Sequence, residues 1–325
     1  MRNLLRFVSQ CCALGLAALA LSAQAQDYPN KAIRLIVPFG TGGATDSSER
    51  AVADKLARRL GQPVVIENRA GAGGDIGMLY VAQSNPDGYT LLLALDATMV
   101  VNPFTHPKIQ FDTLKDFVPV TKLGDVALML AAHPALPAKN LAELLVYSKA
   151  NPGKLSYSTG GTGSTTHVAG ELLKQRTGLD MTHIPYKSGG LAVMDAVVGQ
   201  VQLSYTAVAG ASAQVKAGRL AGIGVSTARR VGFLPEVPTF IEQGLAGFEA
   251  VSWVGILVPA KTPNAIVERL HADITAVLKE PDLRERFAAL GIEPVGNTPG
   301  EFAAQMRADL ARWKEVVERG RIKAD

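Results

Sequence analysis

Short apolar runs alternate with amphipathic stretches along most of the chain. Four of the runs are rich in leucine or β-branched residues, a composition typical of short strands: AIRLIV (32–37), PVVIEN (63–68), YTLLLAL (89–95) and KLSYST (154–159). Between them, apolar residues recur at helical spacing, as at Val52, Leu56 and Leu60. Strands that alternate with helices predict an α/β fold built on mostly parallel sheets with helices on both faces.

Several predicted helices carry a start signal just before their apolar stripe. The signals are capping-box spacings or an N-cap residue followed by proline. They are Asp46 with Glu49, Asn140 with Glu143, Thr262 with Pro263, and Thr298 with Pro299 and Glu301.

At 325 residues the chain has room for two domains, yet it contains no low-complexity linker. Two domains would therefore be joined by crossing strands, for which the apolar segments 118–134 and 220–227 are best placed. We expect a first domain formed by residues 26–125 and 228–325, and a second domain, residues 126–227, inserted into it.

The first residues predict a secretory signal peptide. Arg2 and Arg6 precede the apolar stretch LGLAALALSA, which ends in the cleavage-site pattern Ala23-Gln24-Ala25. An uncleaved N-terminal anchor is the alternative, but the stretch is too short to span a bilayer. We expect residues 1–25 to be removed and the product to be exported.

Removal of this segment changes the chemistry available to the chain. Cys11 and Cys12 leave with it, so the mature chain has no thiol for disulfides, nucleophilic catalysis or cysteine-based zinc sites. Removing Arg2 and Arg6 from 33 basic residues leaves 31 against 29 acidic ones, a net charge near +2. This balance does not favour nucleic-acid binding.

Three glycine-rich turns stand at predicted strand-to-helix junctions: PFGTGGATD (38–46), NRAGAGGDIG (68–77) and STGGTGSTTH (158–167). Glycine lets a ligand approach the backbone, and the first N–H groups of the helix point outward with about half a positive charge. Such turns suit a carboxylate or phosphate. None has the dinucleotide or P-loop spacing. The alternative is that glycine serves only the turn and that Ser164 or Thr165 caps the following helix.

Catalytic patterns are missing from the sequence. The histidines, at positions 106, 133, 167, 183 and 271, have no metal-ligand spacing, and no G-x-S-x-G elbow occurs. His167 could face a cleft or be a hydrogen-bonded helix residue. An exported enzyme that uses Asp96, His167, Tyr186 and Lys187 as acid or base groups is the alternative function. We expect no enzyme, no cofactor and no metal.

Five stretches taken together resemble a known family. They are YPNKAIRLIVPFGTGGATD, VVIENRAGAGGDIG, NPDGYTLLL, THIPYKSGG and the segment from ARRVGFLPEVPTFIEQG to SWVGILVPAKTP. In this order they are similar to the Bug-type extracytoplasmic solute receptors of tripartite tricarboxylate transporters. The resemblance covers the chain from Asp27 onward. It implies a two-domain clamshell of the periplasmic-binding type (type II-like), with the ligand cleft between the domains.

The resemblance also implies ligand contacts at particular positions. In the family, two turns clasp the ligand carboxylate, and a tyrosine occupies a cleft position. Carried over, these are Phe39, Gly40, Thr41, Gly42 and Gly43 for the first turn, Gly161, Thr162, Gly163, Ser164, Thr165 and His167 for the second, and Tyr186.

Two regions depart from the family pattern. Asp96, near Thr98, replaces the usual small residue and could pair with a ligand ammonium or cap a turn. Ala207 and Val208 replace an acidic or amide residue, which favours an apolar or aromatic ligand portion. The two departures point to different ligands, so dicarboxylates, aromatic acids and amino acids stay open.

The resemblance therefore implies a periplasmic receptor that captures a small carboxylate by hinge closure. It would deliver the ligand to integral-membrane permease subunits, and a signalling role stays open. We expect a monomer that binds no nucleic acid.

Overall fold

The structure is a computed structural model that describes residues 28–40, 44–106 and 108–324, without the side chains of residues 44–48. The predicted signal peptide, residues 1–25, lies outside the described residues. So do Thr41, Gly42 and Gly43 of the first predicted carboxylate turn.

The strands form two sheets. The strands of the first sheet are β1 (Ile33–Val37), β2 (Val64–Asn68), β3 (Thr90–Leu95), β4 (Phe117–Val126), β10 (Ser252–Pro259) and β11 (Ile292–Pro294). Those of the second are β5 (Leu128–Ala132), β6 (Ser156–Thr159), β7 (Thr182–Pro185), β8 (Leu203–Ala207) and β9 (Ala221–Val225). The first sheet has the order β11-β4-β10-β3-β1-β2, and the second has the order β7-β6-β8-β5-β9. The four strands that the sequence predicts are β1, β2, β3 and β6.

Helices cover both sheets, as the sequence predicts. They are α1 (Ala44–Leu60), α2 (Asp75–Ala82), α3 (Asn102–Thr105), α4 (Leu141–Ala150), α5 (Thr165–Thr177), α6 (Gly189–Val197), α7 (Val208–Lys216), α8 (Asn264–Leu278), α9 (Pro281–Ala289) and α10 (Pro299–Gly320). A 3₁₀ turn (Ala72–Gly74) precedes α2, and a π-helical turn (Ala97–Val101) follows β3. We call the first sheet with α1–α3 and α8–α10 the first lobe, and the second sheet with α4–α7 the second lobe.

Two of the predicted helix starts are confirmed and two are wrong. Asn140 caps α4 by accepting a hydrogen bond from the Glu143 N–H, and Thr298 forms a complete capping box with Glu301 at α10. In contrast, α1 begins at Ala44, so Asp46 lies inside that helix. Pro263 occupies the N-cap position of α8, because the Thr262 hydroxyl donates to the Pro259 carbonyl instead.

The sheets are more mixed than the mostly parallel sheets that the sequence predicts. β1 pairs in parallel with β2 and β3, and β6 pairs in parallel with β7 and β8. β10 runs antiparallel to β3 and β4, and β5 runs antiparallel to β8 and β9. The physical reason is the connectivity: β5 and β10 enter their sheets from the other lobe, at the edge where the parallel strands end.

The chain crosses between the lobes at adjacent places. β4 ends at Val126 and β5 begins at Leu128, so Ala127 alone separates a strand of one sheet from a strand of the other. The chain returns through residues 226–251, where the Ser226 N–H donates to the Leu128 carbonyl. Both crossings therefore lie at the edges where the two sheets face each other.

Helix α10 packs across both lobes. Its Phe302 meets the ring of Trp253 edge-on in the first lobe, with centroids 5.0 Å apart. Near its other end, the Val316 carbonyl accepts a hydrogen bond from Gln175 of α5 in the second lobe, at 3.0 Å. Among the described helices, none combines the length and the apolar character that crossing a bilayer requires.

Candidate functional site

The first lobe brings three strand ends to one edge. β1, β2 and β3 are parallel, so Phe39, Asn68 and Asp96 emerge on the same side. The Asn68 side-chain amide donates to the Phe39 carbonyl at 2.9 Å, which holds the start of the first predicted turn. Phe39 is half-buried and Gly40 is exposed. Of this turn, only these two residues are described.

The second lobe carries the other predicted turn, between β6 and α5. Gly161 and Gly163 have φ values of +135° and +75°, which only glycine adopts readily. Ser164 caps α5 by accepting from the His167 N–H at 3.2 Å, and its hydroxyl donates to the Gly161 carbonyl at 2.7 Å. The capping role that the sequence leaves open for Ser164 is thus confirmed.

Two stacked imidazole rings support this turn from behind. The rings of His167 and His183 lie 3.6 Å apart and nearly parallel. The Gly163 N–H donates to His167 Nδ1 at 3.1 Å, and His183 Nε2 lies 2.7 Å from the Thr159 hydroxyl. Burial lowers the pKa of His167 to about 4, and burial with the neighbouring ring lowers that of His183 to about 3. Both rings are therefore neutral at pH 7 and hold the turn by hydrogen bonds.

Asp96 lies where the two lobes touch. It is 1% exposed, and the Ser252 hydroxyl donates to its Oδ1 at 2.5 Å. Its Oδ2 is buried without a hydrogen-bond partner among the described residues. Burial raises the pKa of Asp96 to about 7, against the opposing effect of the Ser252 hydroxyl and of the Thr165 hydroxyl from the second lobe. Thr98 is buried beside it and donates to the Leu95 carbonyl.

Two cavities flank the turn of the second lobe. The larger, about 860 Å³, is lined from the first lobe by the segment around Gly73 and Asp75 and by His106, and from the second by Gly161, Thr162 and Tyr186. His106 is held by Asp75, with Nδ1 2.8 Å from Oδ2. The Tyr186 hydroxyl donates to Asp195 at 2.7 Å. Asp75, His106 and Tyr186 are half-buried, whereas Lys108 and Lys187, which also line this cavity, are exposed.

The smaller cavity, about 350 Å³, is lined by the starts of three helices of the second lobe. Thr166 belongs to the first turn of α5, Gly189 and Gly190 open α6, and Ala209 and Gly210 lie in the first turn of α7. The first N–H groups of a helix have no acceptor within it, and the dipoles of the three helices add. This cavity can therefore hold an anionic group without any lysine or arginine.

The glycines at two of these helix starts leave open space. A Cβ atom built on Gly189 or Gly190 would meet no atom closer than 4.0 Å, and one on Gly210 none closer than 3.5 Å. None of the three has a positive φ. Neither packing nor backbone strain therefore requires glycine at these positions. Without side chains there, the helix starts leave room for a ligand to approach the backbone.

The predicted site residues are thus divided among several places. Ala207 lines the smaller cavity, whereas Gly161, Thr162 and Tyr186 line the larger one. Gly163, Ser164, Thr165 and His167 build the turn between them. Val208 is buried in the second lobe, where its N–H donates to the Ala127 carbonyl. Asp96 and Thr98 line neither cavity.

Sequence reasoning missed the residues that complete the smaller cavity. They are Val126, Gly160, Thr166, Gly189, Gly190, Tyr205, Thr206, Ala209, Gly210, Leu290 and Ile292. One signal was available: Ser188-Gly189-Gly190 follows a strand and opens a helix, and Ser188 caps that helix through the Leu191 N–H.

A family model described as the tripartite tricarboxylate transporter family receptor matches residues 49–321. Protein BugT of Bordetella pertussis (strain Tohama I) is 37% identical over 302 residues, which cover 93% of each chain.

Solved structures are similar over almost the whole chain. One described as the structure of a periplasmic transporter is 40% identical, with a TM-score of 0.79 over 92% of this chain and 100% of its own. Rpa4515 of R. palustris with adipate is 32% identical, with a TM-score of 0.79 and the same coverage. MatC of Rhodopseudomonas palustris with bound malate is 32% identical, with a TM-score of 0.75 over 89% of this chain and 100% of its own. The two-sheet α/β fold is thus that of a periplasmic binding protein, and the chain belongs to the receptor family of the tripartite tricarboxylate transporters.

Proposed function

We propose that this receptor binds a small organic carboxylate in the smaller cavity, between its two lobes. The carboxylate group accepts hydrogen bonds from the first N–H groups of α5, α6 and α7, and from the Thr166 hydroxyl, which turns away from the Ser164 hydroxyl that it contacts at 3.0 Å. One observation carries this proposal: three helix starts converge on one cavity, and glycines keep two of them open. The adipate of Rpa4515 and the malate of MatC support carboxylates as the class of ligand.

The proposed contacts are strong enough for micromolar binding. A micromolar dissociation constant corresponds to about −8 kcal/mol. Each hydrogen bond to a charged group contributes about 1.5–3 kcal/mol, from which the cost of immobilising the ligand is subtracted. A few backbone donors with the dipoles of three helices are therefore sufficient.

Binding closes the lobes in this proposal. Residues 26–125 and 228–325 form one domain and residues 126–227 form the other, with the hinge at the two crossings. The first turn, Phe39 to Gly43, moves onto the carboxylate from the first lobe and completes its removal from water. Substitution Gly43→Val should then weaken binding while leaving the fold intact.

The same proposal covers the partners and the route of export. Residues 1–25 direct the chain to the periplasm as a cleaved signal peptide, and the monomeric receptor passes its ligand to integral-membrane permease subunits. The family consists of receptors, so the enzyme alternative has no support among the relatives. Asp96 and His167, two of its candidate acid or base groups, line neither cavity.

The test compares two glycine substitutions at helix starts. Gly189→Ala adds a methyl group inside the smaller cavity, and we expect carboxylate affinity to fall by about 10- to 100-fold, the value of one charged hydrogen bond. Gly300→Ala is the matched control, because Gly300 also lies in the first turn of a helix with open space around it, away from the cavity. Isothermal titration calorimetry against a panel of carboxylic acids measures both. Equal affinities for the two variants would contradict the proposed site.

A further inference from the structure

The walls of the smaller cavity beyond the helix starts are apolar. Val126, Leu290 and Ile292 contribute from the first lobe, and Ala207 and Ala209 from the second. None of the described residues that line the cavity carries a charged side chain.

The polar groups of the cavity are concentrated at one end. The Thr166 and Thr206 hydroxyls and the open N–H groups lie at the helix starts, where they suit one anionic group. The hydroxyl of Tyr205, which also lines the cavity, is hydrogen-bonded to Ser226. A second carboxylate enclosed here would have no cation to compensate the loss of its hydration, which costs several kcal/mol.

The charged residues near the lobe interface lie elsewhere. Asp96, which could pair with an ammonium group, is held by Ser252, faces Thr165 and does not line the cavity. Lys108 and Lys187, which could pair with a second carboxylate, line the larger cavity on the other side of the turn. The smaller cavity therefore provides no partner for an ammonium group or for a second carboxylate.

We propose, resting on the proposed function, that the ligand is a monocarboxylate with a compact apolar body, either aromatic or branched aliphatic. Its carboxylate lies at the three helix starts, and its apolar body packs against Val126, Leu290 and Ile292. A volume of about 350 Å³ lies at the small end of ligand pockets, which range over about 300–1,000 Å³. Ala207 then acts as a specificity-determining residue, because an acidic side chain there would repel the ligand.

Calorimetric titrations of residues 26–325 test this inference directly. The probes are benzoate and 3-methylbutanoate as apolar monocarboxylates, succinate, malate and adipate as dicarboxylates, and aspartate as an amino acid. We expect at least one apolar monocarboxylate to bind about 10-fold or more tightly than every dicarboxylate and aspartate, since each of these must bury a second charge.

Two variants sharpen the result. Ala207→Asp should weaken monocarboxylate binding by roughly 100-fold, because it buries an unpaired charge beside the ligand. Lys187→Ala should leave monocarboxylate binding unchanged, since Lys187 lines the other cavity. A thermal melt of each variant verifies folding. The ranking of the probe affinities is measured on the unmodified protein and does not depend on either variant.

The outcomes separate this inference from the proposed function. If dicarboxylates bind more tightly and Lys187→Ala weakens their binding, the ligand reaches into the larger cavity. The inference is then overturned, while the receptor function stands. If aspartate binds most tightly, the inference is likewise overturned. If none of the probes binds, the proposed carboxylate site fails, and the inference fails with it.

Discussion

The ionisation of Asp96 should lower the free energy of unfolding by a large and measurable amount. Its pKa is raised from 3.8 to about 7, because its burial at the lobe interface disfavours the charged form. Asp309 adds to this shift by repulsion, whereas the Ser252 and Thr165 hydroxyls oppose it. In the unfolded chain the same group titrates near its ordinary value, so the two states bind different numbers of protons over several pH units.

The sign and size of the pH dependence of stability follow from this difference in bound protons. Between about pH 4 and pH 7 the folded protein holds a proton on Asp96 that the unfolded chain has lost, so the free energy of unfolding falls by about 1.4 kcal/mol per pH unit. This contribution is fully present below about pH 4 and is lost as the pH rises through 7. Over about three units it amounts to about 4 kcal/mol.

The substitution Asp96→Asn removes the titration while keeping the shape of the side chain. Its stability relative to the unmodified protein should rise by several kcal/mol between pH 4.5 and pH 8.5, since only the aspartate protein acquires a buried charge. Urea unfolding followed by tryptophan fluorescence measures this difference, and the other titrating groups cancel in it.

The control is Asp54→Asn, which removes one negative charge at an exposed position of α1. The difference in the free energy of unfolding between Asp96→Asn and the unmodified protein could instead stay constant within about 1 kcal/mol across this pH range. In that case Asp96 is ionised at little cost. The inference that Asp96 is enclosed between the lobes would then be wrong.

Three further predictions concern single side chains. Thr166→Val should weaken carboxylate binding by about 10-fold through loss of one hydroxyl donor, and unchanged affinity by calorimetry would remove Thr166 from the site. Gly170→Ala should lower the free energy of unfolding by about 1–3 kcal/mol, because a Cβ there would lie 2.5 Å from the Tyr157 ring; an unchanged melting temperature would contradict this. Lys122→Met should cost about 3 kcal/mol at pH 7, because it leaves the half-buried Asp125 without the ion pair that lies at 2.9 Å; equal urea midpoints would show that the pair is not stabilising.

Local patterns predicted the parts of the fold that local interactions determine. The runs Ile33–Val37 and Thr90–Leu95 are strands because they are apolar except for Arg34 and Thr90 and are buried on both faces. Asn140 and Thr298 cap their helices because side chain and N–H group lie within one turn of each other. The chain also passes from one sheet to the other within 118–134, a segment apolar enough to be buried in both lobes.

The predictions failed where a competing local contact or a distant strand decided the outcome. Helix α1 already includes Ala44 and Thr45, so Asp46 cannot be its N-cap. The Thr262 hydroxyl donates to the Pro259 carbonyl and therefore does not cap α8. The antiparallel strand β10 joins the first sheet from far along the chain, which no local pattern reveals.

The candidate site shows the same limit. The sequence identified one of its three helix starts, after Gly161, because that turn is rich in glycine and hydroxyl groups. The sequence marks the start at Gly189 with Ser188-Gly189-Gly190 and the start at Gly210 with a single glycine, and only the order of β6, β7 and β8 in the sheet brings them together. Their role therefore depends on tertiary structure.

The position of β10 also has a consequence for how the protein folds. The second sheet is built from one continuous stretch, residues 128–225, whereas β10 lies between β3 and β4 in the first sheet and is made more than a hundred residues after them. Until β10 arrives, β3 and β4 expose unpaired edges, which favour association with other chains. We therefore expect the second lobe to acquire its structure first and the first lobe last, so that the newly made chain is most prone to aggregate before β10 is in place.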